Sequence, residues 1–271
     1  DFDLEVSVLR GAGGYVCGEE TTLLNTMEGY RREPRFKPPY PTDSGLWSLP
    51  TTVNNVETLA NVPFILQNGA EAFTRIGNDR ATGTKLVSLS GMVERSGVAE
   101  VEMGTSLREI VEVIGGGCVE GHRLKAVAVG GPSSGIFPPS MLDTPIAPGL
   151  LHKSGVMLGA GGIILIDEHL PVLNVVQKLA AYNAAESCGK CTPCREGSGW
   201  MWRMLERMAK GEATYKEIDL LHNVTKQIEG HTICAFGEGS AWPVQGLLRH
   251  FKKEIEKRSH EEPLIKKKSN I

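Results

Sequence analysis

Glu186 to Gly197 reads ESCGKCTPCREG, with cysteines at every third position: Cys188, Cys191 and Cys194. A fourth cysteine, Cys234, follows forty residues after Cys194 in EGHTICAFGEG. A CxxCxxC turn supplies three thiolates from one compact loop and leaves a distant residue to close the fourth corner of an iron–sulfur cubane. Gly189 lets such a loop curl, Pro193 stiffens it before its last ligand, and Lys190 and Arg195 offset the negative charge of a thiolate-bound cluster. Zinc favours two separated ligand pairs rather than three plus one. A thioredoxin-like redox pair needs one CxxC beside a βαβ unit and leaves two cysteines unexplained. Unligated core cysteines have no reason to keep so regular a spacing amid Gly, Lys and Arg. The pattern therefore favours a [4Fe–4S] cluster held by Cys188, Cys191, Cys194 and Cys234.

The surroundings of these cysteines read as helix. Val172, Val175, Val176 and Leu179 form one apolar stripe, and Trp200, Met201, Met204, Leu205 and Met208 a second. Ile218, Leu221, Val224 and Ile228 form a third, and Val244, Leu247, Leu248, Phe251 and Ile255 a fourth. Four amphipathic segments with short connections predict a four-helix bundle. Three cysteines then fall between its first two helices and the fourth between its last two, where helix ends on one side of an up-down bundle converge.

Further upstream, KLVSLSG, GVAEVEM, LKAVAVGG and GGIILIDE are strand candidates, with SLREIVEVIGGG a single short helix ending in glycine. Strands around one helix suggest a small β-grasp-like domain. The first eighty or so residues mix strand and helix. DFDLEVSVLRG alternates like a strand, and GAGGYVCGEE makes a glycine-rich turn into a helix opening near Gly18 and stopping at Gly29. A proline-rich loop follows, and Asn54 is placed to cap NVETLANVPFILQNG, with Pro63 a kink or break. The turn is not a dinucleotide fingerprint, because Val16 stands where the last glycine of G-x-G-x-x-G belongs, and no Walker A motif exists. Taken alone it is a tight strand-to-helix turn or a site of close ligand approach. On the same footing Cys17 reads as a small buried hydrophobe, Cys118 as a structural residue, Tyr40 as surface packing and Lys37 as solvated.

Composition narrows the class. The 271 residues are 41% hydrophobic and 23% charged, with a formal net charge of −3, which is ordinary for a soluble chain with one or more substantial cores. Nothing in that balance points to nucleic acid, and the basic run IKKK near the end reads as a solvated tail. The longest apolar run, Gly155 to Ile166, is too short to span a bilayer, so no direct membrane insertion is expected. No secretory signal is read at the start, and six sparse cysteines suggest a reducing compartment rather than a disulfide-stapled fold. Beginning at Asp1 inside a strand-like pattern, the chain is expected to be a fragment lacking an N-terminal part.

Taken together, GAGGYVCGEETTLL, KPPYPTDSGLW, TTVNNVETLANVP, ESCGKCTPCREG and IEGHTICAFGEGSAWPVQGLLRHF resemble one family from the first residue to about Arg258. It is the NADH- and FMN-binding, [4Fe–4S]-carrying subunit of respiratory complex I, with its relatives in NAD-linked hydrogenases and formate dehydrogenases. The resemblance implies an α/β plus α fold. Residues 1–82 would be the C-terminal part of an incomplete Rossmann-like flavin domain, 83–167 a ubiquitin-like β-grasp (SLBB) domain, 168–258 a cluster-bearing helical bundle and 259–271 a charged tail. It implies cluster ligation by Cys188, Cys191, Cys194 and Cys234, and places Tyr15, Gly18, Glu19 and Glu20 along the flavin and nicotinamide site, with Cys17 beside them. Val53, Asn54, Asn55 and Thr58 look like the second flavin-contacting stretch, with Tyr40 near the adenine and Lys37 close by. The function implied is an NADH dehydrogenase passing electrons through FMN to the cluster, with no catalytic acid or base. The family's phosphate-cradling glycines would lie upstream of Asp1, so the alternative is a flavin-poor fragment serving as a cluster-bearing docking or relay module. Implied partners are a small thioredoxin-like [2Fe–2S] subunit and a larger multi-cluster iron–sulfur subunit. The implied location is the cytoplasm in bacteria or the matrix side in mitochondria, in the peripheral arm of a larger complex.

Overall fold

The structure, a computed structural model, describes residues 3–11, 13–147, 151 and 155–261. The IKKK run lies outside the described residues.

A five-stranded sheet occupies the middle of the chain, built from β3 (Thr84–Gly91), β4 (Gly97–Glu102), β5 (Leu124–Val129), β6 (Ile136–Phe137) and β7 (Gly162–Asp167) in the order β4-β3-β7-β5-β6. The β3–β7 pairing is parallel and the others antiparallel. All four strand candidates from the sequence are strands here. A two-stranded ladder, β1 (Gly77–Asn78) with β2 (Ala81–Thr82), and β6 are additions too short to leave a period-two signature. Strand alternation splits the interior in two. Ala126, Ala128 and Ile166 face one core shared with the C-terminal helices, whereas Val127, Val129, Ile163 and Leu165 face a second with Leu107, Ile110 and Val111. The last two lie on the expected short helix, which winds as a π-helix over Glu109–Ile114, and Gly115 N–H bonds to Ile110 carbonyl oxygen at 2.9 Å.

After the sheet come α4 (Val172–Glu186), α5 (Thr192–Lys210), α6 (Tyr215–Ile228), α7 (Phe236–His250) and the short α8 (Lys252–Glu256), preceded earlier in the chain by α1 (Glu20–Met27), α2 (Val56–Asn68) and α3 (Ala70–Thr74). Helices α4, α5, α6 and α7 pack against one another around Val172, Leu173, Val176, Met201, Leu205, Met208, Ile218, Leu221, Ile228, Val244 and Leu247. Two stripe assignments need correction. Trp200 is 52% exposed, because the buried face of α5 runs through Met201, Leu205 and Met208. The fourth helix ends at His250, so Phe251 is its C-cap and Ile255 belongs to α8.

The N-terminal expectations hold less well. Asp3–Gly11 forms no strand, and Leu4, Val6, Val8 and Leu9 are exposed; extended backbone becomes a strand only when a ladder partner takes its hydrogen bonds, and none of the described residues does so. Tyr15–Gly18 is a turn of 3₁₀ helix, and α1 starts at Glu20, two residues later than the glycine pattern suggests. Asn55, not Asn54, caps α2 by accepting from Glu57 N–H at 2.8 Å. Pro63 sits within α2 without ending it. Glu57 in turn accepts from Leu86 N–H at 2.8 Å and pairs with Lys85, fastening α2 to β3.

Candidate metal and nucleotide site

Two joints meet beside the start of α5. The α4–α5 connection turns at Gly189, whose φ of 80° lies in the left-handed region that glycine alone enters freely. Cys191 is the N-cap of α5 and Cys194 lies in its first turn, with Pro193 pre-setting the helical backbone between them. Cys234 immediately precedes Ala235, the N-cap of α7. Two helix N-termini, with their unpaired amides and positive dipole ends, are thereby brought to the sulfurs, where they favour thiolate.

The four cysteines gather in one small cluster with Val16 and Phe236, and all are free thiols. Ile233 N–H donates to Cys191 Sγ at 3.4 Å, across the gap between the two joints, and Ser187 Oγ lies 3.2 Å from Cys194 Sγ. Burial pushes the Cys194 thiol up to about 11, against the Ser187 hydrogen bond. Burial also raises Cys234, opposed by the backbone N–H of Phe236. Among the described residues no three His, Cys, Asp or Glu side chains are grouped so as to hold one metal ion. A sulfur quartet divided three plus one, with N–H and O–H donors beside it, suits a multi-iron cluster better than zinc.

Against this quartet sits the glycine-rich turn. Val16 is buried among the cysteines, and the Tyr15 ring stands edge-on to Phe236 (5.8 Å between centroids) and Tyr182 (5.7 Å). Tyr15 N–H donates to Glu186 Oε2 at 2.9 Å, and Arg32 Nη1 reaches the same oxygen at 3.4 Å. From the next loop Arg31 Nη2 donates to the carbonyl of Cys188 at 3.0 Å. Lys190 Nζ donates to the Pro34 carbonyl at 2.7 Å, pairs with Glu33 at 3.2 Å and lies 5.1 Å above the Phe36 ring. Lys190 thus locks the cysteine loop onto the segment after α1, and Arg195 Nη1 closes the loop by donating to the Gly189 carbonyl at 2.9 Å. A cavity of about 270 Å³ opens between Tyr15, Glu19, Ser133, Met157, Cys234 and Phe236.

Glu19 is the N-cap of α1 and accepts from Thr22 N–H at 2.8 Å and from the hydroxyls of Thr21 and Thr22. Burial pushes its carboxyl up, but these hydrogen bonds outweigh it and hold the pKa below the ordinary carboxylate value. Glu20 pairs with Lys37, whose pKa is raised chiefly by that bond. Tyr40 lies on the same loop, 55% exposed. Lys37 is exposed, as the sequence suggests, with its ammonium paired to Glu20. Gly18 closes the Tyr15 turn. Val53, Asn54, Asn55 and Thr58 lie at the start of α2, and the hydrogen bonds there run to β3 through Glu57 rather than to the Tyr15 turn. Cys17 is half-exposed with Sγ 3.3 Å from the Gly13 carbonyl, so it is not the buried hydrophobe expected of an isolated cysteine. Cys118 packs beside the second core and burial raises its thiol, as a structural residue would. Tyr182, Glu186, Ser187, Arg31 and Arg32 were not legible as site residues. Ser187 and Glu186 adjoin the first cysteine, but no spacing marks the two arginines.

Two family models match the chain. One, the NADH-ubiquinone oxidoreductase-F iron-sulfur binding region, covers residues 174–258, and the other, the Nuo51 FMN-binding domain, covers residues 2–64. The NADH-quinone oxidoreductase F subunit of Rickettsia felis is 49% identical over 258 residues, which are 95% of this chain and 61% of that protein. The Rickettsia conorii protein of the same name is 47% identical over 265 residues, 97% of this chain and 63% of the relative. The chain therefore spans less than two thirds of the length of these relatives. Crystal structures of an NAD⁺-reducing [NiFe]-hydrogenase superpose on it at 34% identity. The TM-score is 0.85 for the H2-reduced state, over 93% of this chain and 43% of the hydrogenase chain, and 0.86 for the air-oxidised state, over 94% and 44%.

Proposed function

We propose that the chain belongs to the family of the complex I flavoprotein subunit, alongside the F subunit of NADH-quinone oxidoreductase, and that it is an NADH dehydrogenase (diaphorase) module that delivers electrons from NADH to partner subunits. The observation that carries this reading is the seating of the Tyr15–Gly18 turn directly on a quartet of free cysteines. Cys188, Cys191, Cys194 and Cys234 would hold a [4Fe–4S] cluster. Tyr15, Gly18, Glu19, Glu20, Lys37 and Tyr40 would line the FMN and NADH site, with Val53, Asn54, Asn55 and Thr58 as a second flavin-contacting stretch. When bound, FMN supplies the exchange between a two-electron hydride donor and the one-electron acceptor that an iron–sulfur cluster is. The chain's own part is to place the two groups, to exclude water with Val16 and Phe236, and to donate Ile233 and Phe236 N–H to sulfur. No side chain is needed as a proton donor or acceptor. The negative charge of Glu19 or Glu20 would disfavour a 2′-phosphate and select NADH.

The same reading divides the chain into the end of a flavin domain (1–82), a β-grasp (SLBB) domain (83–167), a four-helix bundle (168–258) and a tail (259–271). The mixed sheet with its parallel β3–β7 pair supports the second of these, and mutual packing of α4 to α7 the third. It also gives the module two partners, a small thioredoxin-like [2Fe–2S] subunit and a larger multi-cluster subunit, in the peripheral arm of a complex on the cytoplasmic or matrix side. Among the described residues no helix is long and apolar enough to cross a membrane.

The exposure of Leu4, Val6, Val8 and Leu9, and of Val56, Leu59 and Leu66 on α2, favours a second reading in which the chain alone holds the cluster but little flavin. Anaerobic addition of NADH to protein with a measured FMN content separates the two. Bleaching of flavin absorption followed by a reduced-cluster signal is expected of the dehydrogenase. A flavin-loaded protein that NADH leaves oxidised would overturn that assignment, and a cluster without flavin would favour the second reading.

A further inference from the structure

We propose that Glu186 is a positioning residue that pins the Tyr15 turn to the cysteine loop and so sets the separation of the two cofactor sites, an inference that rests on the dehydrogenase reading. Local electrostatics argue against a carboxylate at this position. Glu186 is the last residue of α4, where the negative end of the helix dipole disfavours an anion, and no basic residue occupies that last turn to compensate. It also stands two residues before Cys188, where a thiolate-bound cluster adds further negative charge. A residue that breaks the local rule is accounted for by what it holds at long range. Its Oε2 takes the Tyr15 N–H at 2.9 Å and faces Arg32 Nη1 at 3.4 Å, and Arg32 also reaches the Gly13 carbonyl at 3.4 Å. One carboxylate oxygen therefore grips both the first residue of the flavin-side turn and, through Arg32, the glycines that precede it.

The rest of the seam has the same direction. Arg31 to the Cys188 carbonyl and Lys190 to the Pro34 carbonyl tie the segment after α1 to the cysteine loop, whereas Glu186 is the group that holds the turn itself. Tyr15 cannot be held by its ring alone, since the residue is 40% exposed and its ring meets Tyr182 and Phe236 only edge-on. Electron transfer between two fixed centres falls steeply with their separation, so a turn free to lift from the quartet slows transfer without altering either centre.

The test uses the holoprotein carrying cluster and FMN, with Glu186→Ala and the conservative Glu186→Gln, which keeps an acceptor for the Tyr15 amide. Amide exchange at Tyr15 is expected to quicken about tenfold or more in Glu186→Ala and to be largely restored in Glu186→Gln. After rapid mixing with NADH, the interval between flavin bleaching and the cluster signal should lengthen roughly tenfold in Glu186→Ala, with the lag shortened in Glu186→Gln. Wild-type exchange and wild-type cluster reduction in Glu186→Ala would overturn the proposal. So would loss of iron from Glu186→Ala with Tyr15 exchange unchanged, because the residue would then serve the cluster rather than the seam. If NADH bleaches no flavin even in the wild type, the dehydrogenase reading fails, and Tyr15 exchange alone still decides whether Glu186 pins the turn.

Discussion

Gly246 lies within α7, where a simple helix-propensity argument and the tertiary structure predict opposite signs for one substitution. In an open helix, Gly→Ala stabilises by about 1 kcal/mol because alanine loses less backbone entropy on folding. At Gly246, however, an added Cβ would lie 2.8 Å from the backbone nitrogen of Ile136, 3.3 Å from its carbonyl oxygen and 3.5 Å from its Cα. No rotamer change relieves a contact with backbone, so α7 and β6 must part by a substantial fraction of an ångström. The neighbouring Val244 and Leu247, both fully buried, lose packing as they do. Overpacking of this kind costs about 1–3 kcal/mol, which after the propensity gain leaves a net loss of about 1 kcal/mol. Gly199 in α5 is the matched control. Its added Cβ would meet only the Arg203 guanidinium, the mobile end of a long side chain, at 3.5 Å, so Gly199→Ala should gain about 0.5–1 kcal/mol. Urea unfolding of both variants at neutral pH reads the two signs directly. Because Cys234 stands two residues before α7, Gly246→Ala should also disturb the electron paramagnetic resonance signal of the reduced cluster. Equal stabilisation by both substitutions, with an unaltered signal, would refute the close seating of α7 on β6.

Other outcomes follow from the charged groups. Burial pushes the Glu229 carboxyl up, yet Lys226, Gln245 and Trp242 together hold it at about 2. Its folded value is thus depressed: its stabilisation is present above the unfolded carboxylate range and is lost as pH falls from about 4.5 towards 2. Discounted for partial exposure to solvent, that contribution is about 2 kcal/mol. Urea midpoints of metal-free wild type and Glu229→Gln should therefore differ at pH 7 and converge as the pH is lowered through 3; a gap that stays constant would argue against the depressed carboxyl. Glu20→Gln removes the carboxylate opposite Lys37 and should narrow the preference for NADH over NADPH in flavin-loaded protein, measured as the ratio of kcat/KM values. Glu19→Gln should instead lower stability by about 1 kcal/mol through the weakened α1 cap, with its effect seen in thermal unfolding.

The helical half of the chain was the more legible. Its stripes are set by contacts local to each helix, and the buried residues Ile218, Leu221, Val224 and Ile228 coincide with the apolar period of α6. Cysteine spacing likewise located the joints, because Gly189 and Pro193 impose their backbone preferences wherever they occur. Trp200 misled because a large apolar residue at the edge of a stripe gives the same pattern whether it is inside or outside. The first residues misled for the opposite reason: alternation in DFDLEVSVLRG specifies two faces but not a partner strand, and a strand exists only with one. Asn54 and Asn55 are equivalent as cap formers in sequence, and only the helix start chooses between them. The seam formed by Glu186, Arg31, Arg32 and Lys190 joins residues more than 150 positions apart, and three of its contacts end on the Tyr15 amide and the Cys188 and Pro34 carbonyls, which carry no side-chain identity to read.

Iron and acid-labile sulfide counted per chain, in wild type and in Cys234→Ala prepared under the same anaerobic conditions, test the sulfur quartet most directly. A cubane requires about four of each in the wild type and a loss of most of both once its distant thiolate is removed. Stoichiometric zinc without sulfide, or a Cys234→Ala protein that keeps its full iron and sulfide, would contradict the assignment.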